Sequence, residues 1–187
     1  MAPRKPRILY SRRRIARRVR ALAREIDRVY RGRPFTLCGV LTGGAVFAAD
    51  LARALENDRV EIDFVKASSY GAGTVSSGRV DLAVLDQGGI AGRDVLLVED
   101  ILETGRTLEK VAGALGVCGA RSVRTVVLLV KAGRQRTAFR PDWTGFTMEE
   151  DAFVAGYGLD AGKRWRNLPD IVVPPPPRRP VRRRKSP

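Results

Sequence analysis

The residues of this 187-residue chain that could do chemistry are concentrated between positions 95 and 108. Glu99 and Asp100 come directly after the apolar run Val-Leu-Leu-Val, and Glu103 precedes the turn Thr-Gly-Arg-Thr at 104–107. Adjacent carboxylates bind hydroxyl groups or a hard cation. The turn opens a helical pattern, and the N–H groups at the start of a helix bind phosphate. The stretch therefore predicts a site for a sugar phosphate.

An apolar run of this kind is typical of a strand that is buried on both faces of a parallel sheet. Further strands are predicted at 35–41, 60–67 and 122–131, with helical patterns at 45–55 and from the 104–107 turn to about 115. This alternation predicts an α/β fold with a parallel sheet. The strands deliver their carboxyl ends to the edge where open α/β sheets bind ligands, so we expect the acids to lie at that edge.

A helix is predicted from the N-cap residue Ser11 to about Arg31, with Gly32 as its stop. Its apolar residues recur at helical spacing on one side, and its arginines occupy the other. We interpret the arginine side as the solvated face of a packed amphipathic helix. The small, polar residues at 68–78 predict a long loop or an extended hairpin, and an irregular segment is predicted around 143–166.

One domain is expected at 11–173, between a basic arm at 1–10 and a disordered Pro/Arg-rich tail at 174–187. The net charge of +15 is concentrated at the ends, with +11 in residues 1–33 and +6 in the tail, which leaves −2 for the rest. No apolar run approaches the roughly 20 residues of a membrane span, and no signal-peptide core follows the basic N-terminus. We therefore expect a cytoplasmic protein without membrane contact.

The absence of histidine excludes Ser-His-Asp and Cys-His catalysis and the common His-based zinc sites. Any general base is then a carboxylate, a lysine, a tyrosine or the substrate itself. The two cysteines, Cys38 and Cys118, are too few for a disulfide framework, and we interpret them as inert thiols. The usual nucleotide motifs also fail, because GVLTGG at 39–44 lacks dinucleotide spacing and 71–78 lacks the Lys-Ser/Thr of a P-loop.

The stretch VEDILETGRTL at 98–108 closely resembles the signature of the type I phosphoribosyltransferases, and the body of the chain resembles their hypoxanthine-guanine branch. The resemblance covers roughly 7–173. It implies a flavodoxin-like parallel sheet flanked by helices, with a small hood formed from both ends of the domain. Further motifs in family order carry it: ILYS at 8–11, GVLTGG at 39–44, ASSYG at 67–71, GF at 145–146, FVAGYGLD at 153–160 and RNLP at 166–169.

The resemblance implies a Mg²⁺-dependent purine salvage enzyme. Such an enzyme transfers the phosphoribosyl group of phosphoribosyl pyrophosphate to N9 of hypoxanthine or guanine, giving IMP or GMP and pyrophosphate. The base itself displaces pyrophosphate, so no covalent nucleophile is needed, which agrees with the absence of histidine. Family members commonly assemble, so a homodimer or homotetramer is expected.

The resemblance also implies residue roles for the ribose and its phosphates. Glu99 and Asp100 would hold the ribose hydroxyls directly or through Mg²⁺, and Glu103 would remove or relay the purine proton. The 5′-phosphate would be bound by Thr104, Gly105, Arg106 and Thr107. The pyrophosphate would be bound by Thr42, Gly43, Gly44, Ser69, Tyr70 and Arg166.

For the purine, the resemblance implies that Lys131 donates to the 6-oxygen, that Phe153 stacks on the ring, and that the backbone of Val154 reads a base edge. Asp160 would bind a second Mg²⁺. The loop at 68–78 would close over the site and exclude water.

Three positions depart from the family pattern. Glu103 stands where the family usually has aspartate, and its extra methylene moves the carboxylate by about 1 Å or more, which alters proton-transfer geometry. Thr42 stands where lysine is frequent, which removes a cation from the pyrophosphate side. Val130 stands where an acid is frequent. The departures bear on rate and base preference more than on the class of ligand.

Two alternatives remain open at this point. The basic ends are also compatible with an RNA-binding regulatory protein on a phosphoribosyltransferase scaffold, whose Arg-rich segments would contact RNA or another polyanion weakly. The other alternative keeps the enzyme but changes the preferred base to xanthine or another purine analogue.

Overall fold

A computed structural model describes residues 5–66 and 90–175 of the chain. Five of its strands form a parallel sheet, and a separate two-stranded antiparallel sheet joins the two ends of the domain. In chain order the elements are β1 (Arg7–Tyr10), α1 (Arg12–Tyr30), β2 (Phe35–Leu41), α2 (Gly44–Ala54), β3 (Val60–Lys66), β4 (Asp94–Leu102), α3 (Arg106–Val117), β5 (Ser122–Lys131), β6 (Trp143–Met148) and β7 (Ile171–Val173).

The strand order of the main sheet is β3-β2-β4-β5-β6, which is the order of flavodoxin-like folds. The small sheet pairs β1 with β7, so both ends of the domain contribute to it. The predicted fold class is therefore confirmed. In this topology the sheet order reverses between β2 and β4, and a crevice opens there at the carboxyl ends of the strands.

Helices cover both faces of the main sheet. Leu96 and Val98 of β4 share one core cluster with apolar residues of α1 and α2, whereas Val95 and Leu97 share the other cluster with α3. All four side chains are buried because successive residues of a strand point to opposite faces. The prediction of a strand buried on both faces is confirmed.

The structure corrects the end of that strand. The apolar run predicted a strand that stops before the acids, but β4 continues to Leu102 and includes both Glu99 and Asp100. Pairing with β5 extends the strand, since Glu99 lies opposite Val127 and Leu102 opposite Val130. The acids are therefore held by the sheet, not by the loop after it.

The sequence predictions for the two ends of the domain and for the irregular segment had mixed outcomes. The predicted helix capped by Ser11 is confirmed, since the Ser11 hydroxyl accepts the N–H of Arg14. At the other end of the helix, Arg31 adopts a left-handed backbone conformation. Residues 7–10 are a strand and not part of an irregular arm. The predicted irregular segment contains the edge strand β6. The 68–78 loop and almost all of the tail lie outside the described residues.

No helix among the described residues is long and apolar enough to cross a membrane.

Candidate functional site

The carboxyl ends of three neighbouring strands converge on one crevice. β2 ends at Leu41 and is followed by Thr42, while β4 carries the acids and β5 ends at Lys131. The parallel register places Leu102 opposite Val130, so the next residues, Glu103 after β4 and Lys131 at the end of β5, become neighbours. The sheet therefore assembles groups that lie far apart in the sequence.

Glu99 and Asp100 are buried carboxylates, 8% and 7% exposed. Asp100 Oδ1 accepts the N–H of Ile101 at 2.8 Å, and Glu99 Oε1 accepts the N–H of Asp100 at 3.2 Å. Burial and the adjacent Asp100 carboxylate raise the pKa of Glu99 well above its usual value, and burial also raises the pKa of Asp100. Among the described residues neither forms an ion pair, so the pair can accept hydroxyl donors or a cation.

The turn between β2 and α2 packs directly against Asp100. A Cβ placed on Gly43 would lie 1.9 Å from Asp100 Oδ2, and one on Gly158 would lie 2.3 Å from the carbonyl oxygen of Gly43. The turn thus lies between β4 and the hood, which is the small sheet of β1 and β7 with the segment 155–168 beside it. Glycine is required at both close contacts. No side chain caps α2 at Gly43, and the N–H of Ala45 makes only a long bond of 3.4 Å to the carbonyl of Thr42, so this helix start is suited to an anion.

A second glycine turn begins α3. Gly105 has φ +86° and caps the helix without a side-chain hydrogen bond. Its Cα lies against Thr137, since an added Cβ would be 2.6 Å from Thr137 Oγ1. The backbone N–H of Arg136 also donates to the carbonyl of Thr104 at 2.9 Å, so the loop after β5 supports the turn from behind. The arrangement is an anion cradle at the start of a helix, in which the N–H of Arg106 donates weakly to Thr104 Oγ1, at 3.4 Å.

A cleft of about 260 Å³ lies in front of this turn. It connects the carboxylates to the helix start, which is the arrangement expected for a diol and a phosphate on one ligand. Arg106 is exposed and is not part of the lining. The lining residues that were predicted from the sequence are Glu99, Asp100, Glu103, Thr104, Gly105 and Thr107.

A second cleft, of about 190 Å³, adjoins the first. The two share Asp100, Ile101 and Glu103, so one ligand can extend from one cleft into the other. Phe153 is 60% exposed at this cleft, an unusual exposure for a large aromatic side chain that is available for stacking. The predicted residues in its lining are Asp100, Glu103, Lys131, Phe153, Val154 and Asp160.

Lys131 and Glu103 form an ion pair in the second cleft. The Lys131 side chain is 9% exposed and that of Glu103 is 50% exposed, so the pair lies between the protein interior and solvent. Gln135 donates to the carbonyl oxygen of Lys131 and closes the turn that follows the strand.

The hood places Arg166 and Asp160 together. Arg166 Nη2 donates to Asp160 Oδ1 at 3.0 Å, and Nη1 donates to the carbonyl of Gly158, which contacts the Gly43 turn. Tyr157 Oη donates to Asp50 Oδ2 at 2.7 Å and so joins the hood to α2, the helix that follows this turn.

The acids predicted to bind Mg²⁺ were assigned to two ions, Glu99 and Asp100 to one and Asp160 to a second. Among the described residues no group of three or more His, Cys, Asp or Glu side chains could hold a metal ion. Glu99 and Asp100 are adjacent, but Asp160 is engaged by Arg166. The assignment of Glu99 and Asp100 to one Mg²⁺ and of Asp160 to a second therefore stays a prediction.

Sequence reasoning left some of the site unassigned. Ser69 and Tyr70 lie outside the described residues. Ile101 and Leu159 line the second cleft and Thr137 supports the phosphate turn, yet none was assigned a role. Ile101 and Leu159 lie inside motifs that carry the family resemblance, and this position in the sequence could have indicated that they line the site. For Thr137 no local signal exists, because its contact with Gly105 is purely tertiary.

Comparisons with known proteins agree with this geometry. The family model for the phosphoribosyl transferase domain matches residues 7–161. The hypoxanthine-guanine phosphoribosyltransferase of Bacillus subtilis is 38% identical over 166 residues, which cover 89% of this chain and 91% of that protein. The bifunctional protein TilS/HprT of Listeria innocua is 40% identical over 166 residues, and these cover 89% of this chain.

The chain spans only about a quarter, 25%, of the length of the bifunctional relative. Among solved structures, an HPRT in which glutamic acid replaces an invariant aspartic acid superposes with a TM-score of 0.83. It is 39% identical to this chain, and the match covers 90% of this chain and 95% of that structure. Sequence and fold thus point to the same group of proteins over most of the chain.

Proposed function

This chain belongs to the phosphoribosyltransferase family, in its hypoxanthine-guanine branch, and on that premise we propose that it is a purine salvage enzyme. It transfers the phosphoribosyl group of phosphoribosyl pyrophosphate to N9 of hypoxanthine or guanine. The products are IMP or GMP and pyrophosphate. We also propose that it works in the cytoplasm as a homodimer or homotetramer.

The observation that carries this proposal is the junction of the two clefts at Asp100, Ile101 and Glu103. One cleft offers carboxylates and a helix start, which suit a ribose 5′-phosphate. The other offers an exposed aromatic ring and a buried lysine, which suit a flat base with an oxygen substituent. The junction is where the bond between sugar and base would form.

The reaction makes one bond and breaks one. The purine N9 attacks C1 of the ribose, the bond from C1 to the pyrophosphate oxygen breaks, and the purine loses one proton. Lys131 donates to the 6-oxygen and Phe153 stacks on the ring, which together orient the base. The Glu103 carboxylate, in the same cleft, accepts or relays the proton.

The residues fit Mg²⁺ dependence. Glu99 and Asp100 are adjacent, buried oxygen donors whose described partners are backbone N–H groups, and burial raises the pKa of both. A hard divalent cation, or ribose hydroxyls bound beside it, would relieve that unfavourable burial. When bound, Mg²⁺ would neutralise part of the charge on the pyrophosphate leaving group. Asp160 would bind a second Mg²⁺ only if its pairing with Arg166 opened.

The test is pyrophosphate release from phosphoribosyl pyrophosphate with hypoxanthine, guanine or xanthine as acceptor, with MgCl₂ or with excess EDTA. Release with a 6-oxopurine and Mg²⁺ is expected. Asp100→Asn should abolish it, while Asp58→Asn, at an exposed acid outside both clefts, should not. If no 6-oxopurine led to pyrophosphate release, the proposed enzymatic activity would be overturned. Activity with xanthine alone would change only the proposed substrate base.

A further inference from the structure

One side of α1 carries a row of exposed arginines that the proposed reaction does not use. Separations of three or four residues put them on a single line along the helix, about 22 Å long. All are exposed, whereas the opposite side of the helix is buried in the core. We call this row the arginine stripe, and its members are Arg13, Arg17, Arg20, Arg24 and Arg28.

The positive charges of the stripe are not neutralised by nearby carboxylates in the described structure. Both acids of α1 are engaged elsewhere, since Glu25 pairs with Arg18 at 2.9 Å and Asp27 accepts the N–H of Glu56 at 3.0 Å. Within residues 5–66 and 90–175, no arginine of the stripe pairs with a carboxylate. Five positive charges therefore face solvent together.

Helix stability does not explain the stripe. Like charges three or four residues apart repel each other, and α1 has no acid in its first turn, so its arginines there oppose the helix dipole. The helix contains eight arginines and no lysine. Arginine presents a planar fork of donors that binds phosphate oxygens in a bidentate manner, which a lysine does not. Arginine also predominates over lysine in the rest of the chain, so the case for a phosphate partner rests on the exposed row, which is unpaired among the described residues, and not on the choice of arginine over lysine.

We propose that the arginine stripe binds the phosphate backbone of a nucleic-acid duplex. A duplex carries about one negative charge per 1.7 Å of its axis, so a rigid row of cations about 22 Å long faces several phosphates at once. Single strands are bound through exposed aromatic residues, but the aromatic residue of α1, Tyr30, is buried. A membrane-surface helix inserts its apolar face into lipid, and that face of α1 is buried in the core.

The binding reads no sequence, because it contacts phosphates only. None of the five arginines lines either cleft of the candidate site, so a duplex on the stripe leaves both clefts open. The interaction is therefore independent of the proposed reaction, and each can fail without the other.

The test compares two full-length variants with equal loss of charge. The stripe variant combines Arg17→Gln, Arg20→Gln and Arg24→Gln, which removes the middle three charges of the stripe. The scattered variant combines Arg59→Gln, Lys110→Gln and Arg124→Gln, which removes three exposed cations elsewhere. Binding to a duplex RNA, to a duplex DNA of the same sequence, to the single strand and to phosphatidylserine vesicles is measured across salt concentrations. Circular dichroism and phosphoribosyl transfer should be unchanged in both variants, which shows that they fold.

The stripe variant should lose at least about tenfold in duplex affinity near 0.1 M salt, and its log–log salt slope should fall by about 2.7. The scattered variant should change that slope by less than about 1. Equal losses in the two variants would overturn the proposal, since total charge alone would then explain binding. So would stripe-dependent binding to the single strand or to phosphatidylserine vesicles without binding to either duplex.

Discussion

Glu103 and Lys131 form an ion pair at the junction of the two clefts, although they lie 28 residues apart in the sequence. The pairing of Leu102 with Val130 makes them neighbours at the ends of adjacent strands. In the proposed reaction each has a different partner, the purine 6-oxygen for Lys131 and the purine proton for Glu103. A base that enters must therefore compete with Glu103 for the lysine.

Shortening Glu103 should weaken this competition. Glu103→Asp withdraws the carboxylate by about one carbon–carbon bond, roughly 1.5 Å, and loosens its contact with Lys131. A partly exposed ion pair contributes up to about 1 kcal/mol, so we expect kcat/KM for hypoxanthine to rise by up to about 5-fold through a lower KM. Both kinetic constants for hypoxanthine are measured by steady-state kinetics at saturating phosphoribosyl pyrophosphate.

Glu103→Gln is the matched control because it keeps the side-chain length and removes the charge. It should also release Lys131 and lower the KM for the base, but kcat should fall because the proton acceptor is lost. A higher KM in both variants would mean that the ion pair helps the base to bind and does not compete with it.

Removing the exposed ring of Phe153 should affect the base alone. Stacking of a base on an aromatic side chain contributes roughly 1–3 kcal/mol, so Phe153→Ala should raise the KM for the purine by about 5-fold or more. The KM for phosphoribosyl pyrophosphate and the melting temperature should barely change, since the side chain is 60% exposed. Val117→Ala, at another exposed apolar position, is the control and should alter neither KM.

The helices and strands that are specified by a local residue pattern could be predicted from the sequence. The 3.6-residue apolar period and the cap at Ser11 define α1, and continuous apolar runs define β2 and β5. The acids beside a glycine turn likewise indicated the ribose-phosphate half of the candidate site. Each of these patterns is complete within one segment, so no partner needs to be known.

Features that depend on pairing could not be predicted. The residues of β6 read WTGFTM, a weak strand pattern, and they become a strand because Trp143 lies opposite Val126 of β5. β1 and β7 are short and are stabilised by each other. The contact of Glu103 with Lys131 depends in turn on strand register, which the sequence does not display.

Gly43 should be essential because of its contact with Asp100. An added Cβ would lie 1.9 Å from Asp100 Oδ2, so Gly43→Ala must displace either the turn or the buried carboxylate. Displacements of about 1 Å in a catalytic site cost on the order of 100-fold, and we expect such a loss in kcat/KM for phosphoribosyl pyrophosphate. Gly113→Ala is the control, since nothing lies within 4 Å of its Cβ position in α3. It should keep activity and stabilise the helix by about 0.5–1 kcal/mol.

Acid sensitivity should arise in part from Asp94, at the start of β4. Its buried carboxylate accepts from Arg121 Nε at 3.0 Å and from Ser122 Oγ at 2.7 Å. The hydrogen bonds from Arg121 are the main cause that lowers the pKa of Asp94 to about 2, and Ser122 adds to the effect. Because the folded-state pKa lies below the unfolded one, the stabilisation is complete above about pH 5 and is lost as the pH falls towards 2.

Asp94→Asn should therefore lower the free energy of unfolding by about 2 kcal/mol at pH 7 and by about 1 kcal/mol at pH 3. Urea unfolding of both proteins at the two pH values measures the difference. Asp151→Asn is the control, since Asp151 pairs with Arg134 at the surface and should contribute less than about 0.5 kcal/mol at either pH. A destabilisation by Asp94→Asn that stays constant from pH 7 to pH 3 would show that packing, and not the charge of Asp94, stabilises this end of the sheet.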